Sequence, residues 1–123
     1  MSDPLVRNRR PGETYVVRPF VYIATISEFP GLVKIGSSMY PKTRMFSLKS
    51  EYRLKFNLKM VFDTDYGGFI ELRTHEILSE DLYSGIRSTA REIFKCSVDD
   101  AEAAVLLAFD EEGFKYKYAT IDE

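Results

Sequence analysis

One cysteine, one histidine and no tryptophan in 123 residues put several kinds of chemistry out of reach. A lone Cys96 forms no internal disulfide and builds no zinc site of several thiolates. His75 is the one imidazole, so a His/Cys metal cluster is excluded too. No apolar run approaches the roughly 20 residues that cross a bilayer. The first residues are charged and polar, unlike a secretory signal. These absences predict a reducing, cytoplasmic setting and no membrane partner. Repeats and low-complexity tracts are missing as well. A length of 123 residues is that of one domain.

What is there is ordinary in bulk and uneven in place. The chain is 45% hydrophobic and 29% charged, and nine Phe with eight Tyr suffice for one core. Net charge is −2. Residues 1–60 hold 11 Lys/Arg against 4 Asp/Glu, a balance of +7. Residues 61–123 hold 6 against 15, a balance of −9. Such asymmetry points to one face suited to a polyanion, provided that the halves become faces. Residues 1–14 carry Arg7, Arg9 and Arg10 with two prolines and no hydrophobic period. They read as a mobile basic arm, a phosphate contact or only a solvated tail.

Residues 20–26 are β-branched and aromatic, and residues 32–36 form a second short strand. Pro30-Gly31 between them signals a hairpin turn. Gly36 allows close backbone approach or a positive φ. Pro41 suits the first turn of a helix over 41–49, with Met45 and Leu48 inward. Residues 53–62 alternate: Leu54, Phe56, Leu58, Met60 and Phe62 on one face, Lys55, Asn57 and Lys59 on the other. A second helix is expected from about 65–68 to 83, capped by Asp63, Thr64 or Asp65. On it Glu71 and His75, four apart, share a face. Residues 91–96 read as a short extended segment. Ser97 caps a third helix with Asp100 three residues on. Its face is Ala101, Ala104, Val105, Ala108 and Phe109, and Gly113 follows its end. The tail, 113–123, alternates Phe114, Tyr116 and Tyr118 with lysines, as a terminal strand or ordered tail. The expected fold is α/β (α+β), a three-stranded antiparallel sheet flanked by three helices over residues 15–112.

Three polar groups stand out on these elements. Tyr22 lies in Val-Tyr-Ile, Lys34-Ile35-Gly36 begins twelve residues later, and Arg44 follows Lys34 by ten. In that order and spacing they resemble the paired motifs of the GIY-YIG nuclease superfamily and its arginine. Gly31-Leu32-Val33-Lys34-Ile35-Gly36-Ser37-Ser38 is most similar to a short phage-associated branch that writes GLVKIG for YIG. Glu71-Leu72-Arg73-Thr74-His75 and Arg91-Glu92-Ile93-Phe94 resemble that branch's later motifs. The resemblance covers about residues 20–109.

It implies a Mg²⁺-dependent (or Mn²⁺-dependent) endonuclease acting on DNA. Tyr22 would be the general base, with Lys34 beside it, Arg44 on the phosphate and Glu92 on the metal, while His75 assists. Magnesium takes few protein carboxylates, so one glutamate is sufficient in principle. The chain departs from the family at Lys34, where a second tyrosine is usual, and it has no histidine near Arg44. A tyrosine of ordinary pKa, about 10, is a poor base at neutral pH, and the Lys34 ammonium is expected to lower it. Arg7, Arg9, Arg10, Lys42, Arg44, Lys55 and Lys59 are the candidate nucleic-acid contacts. With no separate sequence-reading domain in evidence, specificity is low or comes from a homodimer or a protein partner. Two other readings stay open: a non-cleaving nucleic-acid-binding module of the same fold, and a phage protein that binds a host protein.

Overall fold

Two consecutive β-branched stretches separated by a tight turn pair as a hairpin, and the rest of the chain packs around it. In the computed structural model, which describes residues 19–86 and 92–121, β1 spans Phe20–Ile26 and β2 Leu32–Ser38. Gly31 sits at φ 92° in the turn, a left-handed conformation that favours glycine. Helix α1 spans Pro41–Tyr52 and starts on its proline. Strand β3 is Phe56–Asp63, helix α2 Gly67–Ile77, β4 Ile93–Lys95, helix α3 Val98–Glu112 and β5 Lys117–Tyr118. A single 3₁₀ turn, Ser79–Asp81, follows α2. Residues 1–18, including Arg7, Arg9 and Arg10, and Arg91 lie outside the described residues.

The class is α+β with three helices, as expected, but the sheet has five strands instead of three. Their order is β4-β2-β1-β3-β5, all pairs antiparallel. The two additions are edge strands of three and two residues, too short to show a period. Central β1 is buried on both faces. Val21 and Ile23 pack with residues of α2 and α3, among them Ile70, Val105 and Phe109. Tyr22, Ala24 and Ile26 pack with Met45 and Leu48 of α1. Each fully buried aliphatic or aromatic side chain of this kind contributes about 1.5–3 kcal/mol.

The regular alternation expected of residues 53–62 is broken. Ile23 pairs with Met60, but its neighbour Ala24 pairs with Leu58, so Lys59 is an extra residue in β3. That bulge moves the following side chains to the opposite face. Phe56, Leu58 and Val61 join the α1 side, whereas Met60 and Phe62 join the α2–α3 side.

Helix α2 also differs from expectation: it stops at Ile77, and its N-cap is Tyr66, without a side-chain cap. Thr64 instead donates to the Lys115 carbonyl and accepts from the Tyr66 N–H. In α3, Ser97 does accept from the Asp100 N–H at 3.0 Å, and all five expected core positions are buried. Gly113 ends α3 at φ 70°. Phe62, in contact with Phe109, Tyr116 and Tyr118, ties β5 to the sheet.

Candidate functional site

Tyr22 and Lys34 point to the α1 side of the sheet from adjacent strands. The register pairs Tyr22 with Gly36 and Ala24 with Lys34, so the two side chains are diagonal neighbours. The Tyr22 ring lies across Gly36, where any Cβ would overlap the phenol. Close approach, and not a positive φ, is therefore why glycine stands there.

Lys34 exposes 1% of its surface. Its Nζ donates to Oε2 of Glu92 and lies 5.7 Å from the centre of the Tyr22 ring. Glu92 stands at the entry to β4, and its backbone carbonyl accepts from the Ile35 N–H at 3.1 Å. Arg44, in the first turns of α1, is half-buried, with Nη2 3.6 Å from the Glu51 carboxylate. Tyr22, Lys34, Gly36, Arg44, Glu71 and Glu92 line one cavity of about 420 Å³.

Burial and charge pull against each other here. Burial pushes the Tyr22 hydroxyl pKa up, and Lys34 and Arg44 oppose this without reversing it, so it stays above its usual 10.0. The expected lowering by Lys34 is thus outweighed by desolvation. Burial alone would depress the Lys34 ammonium, but Tyr22 and the bonded Glu92 carboxylate hold its pKa above the usual 10.5. Burial works against the Glu92 carboxylate as well, yet Lys34, His75 and Arg44 keep its pKa below 4.5. Lys34 and Glu92 are therefore a charged pair at neutral pH.

His75 does not line this cavity. Its Nε2 lies 2.8 Å from the Ile35 carbonyl, which only accepts, so that nitrogen carries the proton. The ring packs against Phe94, and the Glu71 carboxylate is 3.9 Å away. Glu71 accepts from the Ser37 hydroxyl at 2.5 Å. Of the expected pair, Glu71 reaches the cavity itself, and His75 lines an adjoining recess with Glu71 and Glu92. Ser37 lies in the motif stretch, but the sequence assigns it no site role; its bond to Glu71 appears only when α2 packs beside β2. Lys42 and Lys59 line recesses on the α1 side, that of Lys42 adjoining the cavity at Met39, and Lys55, just before β3, lines none of them.

The T5orf172 domain pattern matches residues 19–108. The chain belongs to the T5orf172 domain family. This is a phage-associated domain of a nuclease-related group. The T5orf172 span agrees within a residue at each end with the stretch that carries the GIY-YIG resemblance, and it contains Tyr22, Lys34, Arg44, His75 and Glu92. Strand β5 lies beyond it. No curated protein and no solved structure matches the chain significantly. No helix among the described residues is long and apolar enough to cross a membrane.

The T5orf172 cavity offers a divalent ion only oxygen ligands. Glu92 is held as a carboxylate, and Glu71 lines the same space. Among the described residues no group of three or more metal-ligating side chains gathers. That donor set fits magnesium, which keeps several waters and takes one or two carboxylates, and it does not fit a closed protein cage.

Proposed function

We propose that this T5orf172 domain is a GIY-YIG-like endonuclease that hydrolyses DNA phosphodiester bonds with Mg²⁺ or Mn²⁺. The observation that carries the reading is the convergence of Tyr22, Lys34, Arg44 and Glu92, from three strands' worth of backbone and a helix, on one polar cavity. Hydrolysis needs an oriented nucleophile, a neutralised phosphate and help for the leaving oxygen.

Arg44 is placed to grip phosphate oxygens in the bidentate manner of a guanidinium. Glu92, with Glu71, would hold the ion, which when bound neutralises phosphate charge and stabilises the leaving oxygen. Tyr22, as its phenolate, orients the attacking water and takes its proton, becoming the neutral phenol. Lys34 fixes Glu92 and sets the charge beside the phenol. Because the Tyr22 pKa is raised, the reactive form is scarce at neutral pH, and the rate should climb as pH rises above neutrality.

Plasmid nicking with and without Mg²⁺ tests the reading. The parent should nick only with the ion, Glu92→Gln should not nick, and Tyr22→Phe should lose about 10²- to 10⁴-fold in rate. Equal nicking by parent and both variants sinks the assignment. One observation favours the non-cleaving module: Lys34 already occupies Glu92, so an ion must compete for it. DNA binding by a parent that cleaves neither plasmid nor single-stranded or flapped DNA with either ion decides for that module.

A further inference from the structure

Two more recesses open on the α1 side. The first, of about 260 Å³, has Phe20, Met39, Tyr40, Lys42 and Leu58 in its walls. Met39 also lines the candidate cavity, so the two adjoin there. The second shares Lys42 and Leu58 with the first and adds Phe46 and Lys59. Tyr40 is 68% exposed and Phe46 73%. A single exposed ring needs no explanation. Two rings on one helix and its cap, beside two lysines and in line with a polar cavity, form a patterned surface. Among the described residues no Asp or Glu lines either recess.

Flat rings interleaved with cations are what an unpaired nucleic-acid strand requires: lysines meet phosphates, and each ring takes a base. An intact duplex keeps its bases stacked on one another and gives these rings nothing to hold. An apolar peptide would leave both lysines without counter-charge. We propose that this face is a single-strand track, in which bases flanking the phosphate in the cavity lie unstacked on Tyr40 and Phe46 while Lys42 and Lys59 meet the adjoining phosphates. The substrate class is then DNA with an unpaired segment, such as a free strand, a flap or a junction arm. This inference rests on the nuclease reading and narrows it.

The test compares a single-stranded oligonucleotide carrying 2-aminopurine with a blunt duplex of the same sequence, both without divalent ions. The single strand should bind about tenfold more tightly, and its 2-aminopurine emission should change as the base stacks on a ring. Tyr40→Ala and Phe46→Ala should each weaken single-strand binding about fivefold or more, with duplex affinity nearly unchanged and thermal melts like the parent's. Equal affinity for both forms, with both variants binding like the parent, overturns the track and leaves the nuclease reading standing. Failure of the parent to bind either form overturns the nuclease reading and the track with it. A dimer in sedimentation that Tyr40→Ala dissolves, with no effect on DNA binding, overturns the track in favour of a second copy of this chain.

Discussion

A lysine that is 1% exposed must keep a counter-charge, because an unpaired buried ammonium is costly. For Lys34 that partner is Glu92, so substitution at Glu92 affects more than ligation. Removing one member of a buried pair costs about 3–5 kcal/mol. Glu92 is 37% exposed, and solvent screening reduces this to about 1–2 kcal/mol. Glu92→Ala should therefore lower the melting temperature measurably, whereas Glu92→Gln, which keeps an acceptor for Lys34, should lower it less. Identical melts for the two would remove the structural role. The pair also sets a pH window. Glu92 is held below 4.5, so its contribution is complete above that value and is lost as pH falls below it. Lys34 is held above 10.5, so its contribution is complete below that value and is lost as pH rises past it. Melts should be flat in between and fall on both sides. In Lys34→Met the acid-side fall should shrink, and an unchanged acid limb would argue against the pairing.

At the scale of elements, the critical piece is β2 beyond Lys34. Strand β4 pairs only with Leu32–Lys34, so the next residues of β2 have no strand on that side. Helix α2 takes over: His75 donates to the Ile35 carbonyl, and Glu71 accepts from Ser37. Residues four apart on one helix thus pin the stretch of β2 that carries Gly36 and flanks Lys34. Losing the His75 bond should cost about 0.5–1.5 kcal/mol, plus the contact with Phe94. His75→Ala should accordingly lower the melting temperature by roughly 5 °C and slow nicking, and His75→Gln, which keeps a donor, should restore part of both. A His75→Ala variant with the parent's melt and rate would leave His75 no positioning role. The elements themselves were largely legible: the hairpin from its Pro-Gly turn, α1 from Pro41, and α3 from its cap and five-residue face. What was not legible depended on pairing. The bulge at Lys59 arises where β3 meets β1, and alternation within one strand cannot reveal it. Strands β4 and β5 lie where the sequence reads as extended, at 91–96 and in the tail, but three and two residues do not tell that they pair onto the sheet edges, and the Tyr22 pKa is set by burial that appears only on folding.

At the scale of the molecule, charge among the described residues is uneven between the two sides of the sheet. The basic helix α1, with Lys42, Arg44 and Lys49, covers one side of the sheet, and α3, with Asp99, Asp100, Glu102, Asp110, Glu111 and Glu112, packs on the other. This happens because the hairpin is followed at once by a helix that crosses to one face, while both later helices cross to the opposite one. A polyanion should therefore be drawn to the α1 side and repelled from the α3 side. Its affinity should fall with salt in proportion to the phosphates neutralised. Each lysine lost from a single-strand contact flattens the plot of log affinity against log salt by about 0.7, and from a duplex contact by about 0.9. Lys42→Ala combined with Lys59→Ala should flatten it by about 1.4 with a single strand, while Asp110→Ala, on the far helix, should leave it unchanged. Removing residues 1–12, and with them Arg7, Arg9 and Arg10, should flatten it further if the arm meets phosphates. A slope that ignores Lys42 and Lys59 but responds to the arm would move the DNA from the α1 face to the N-terminal segment.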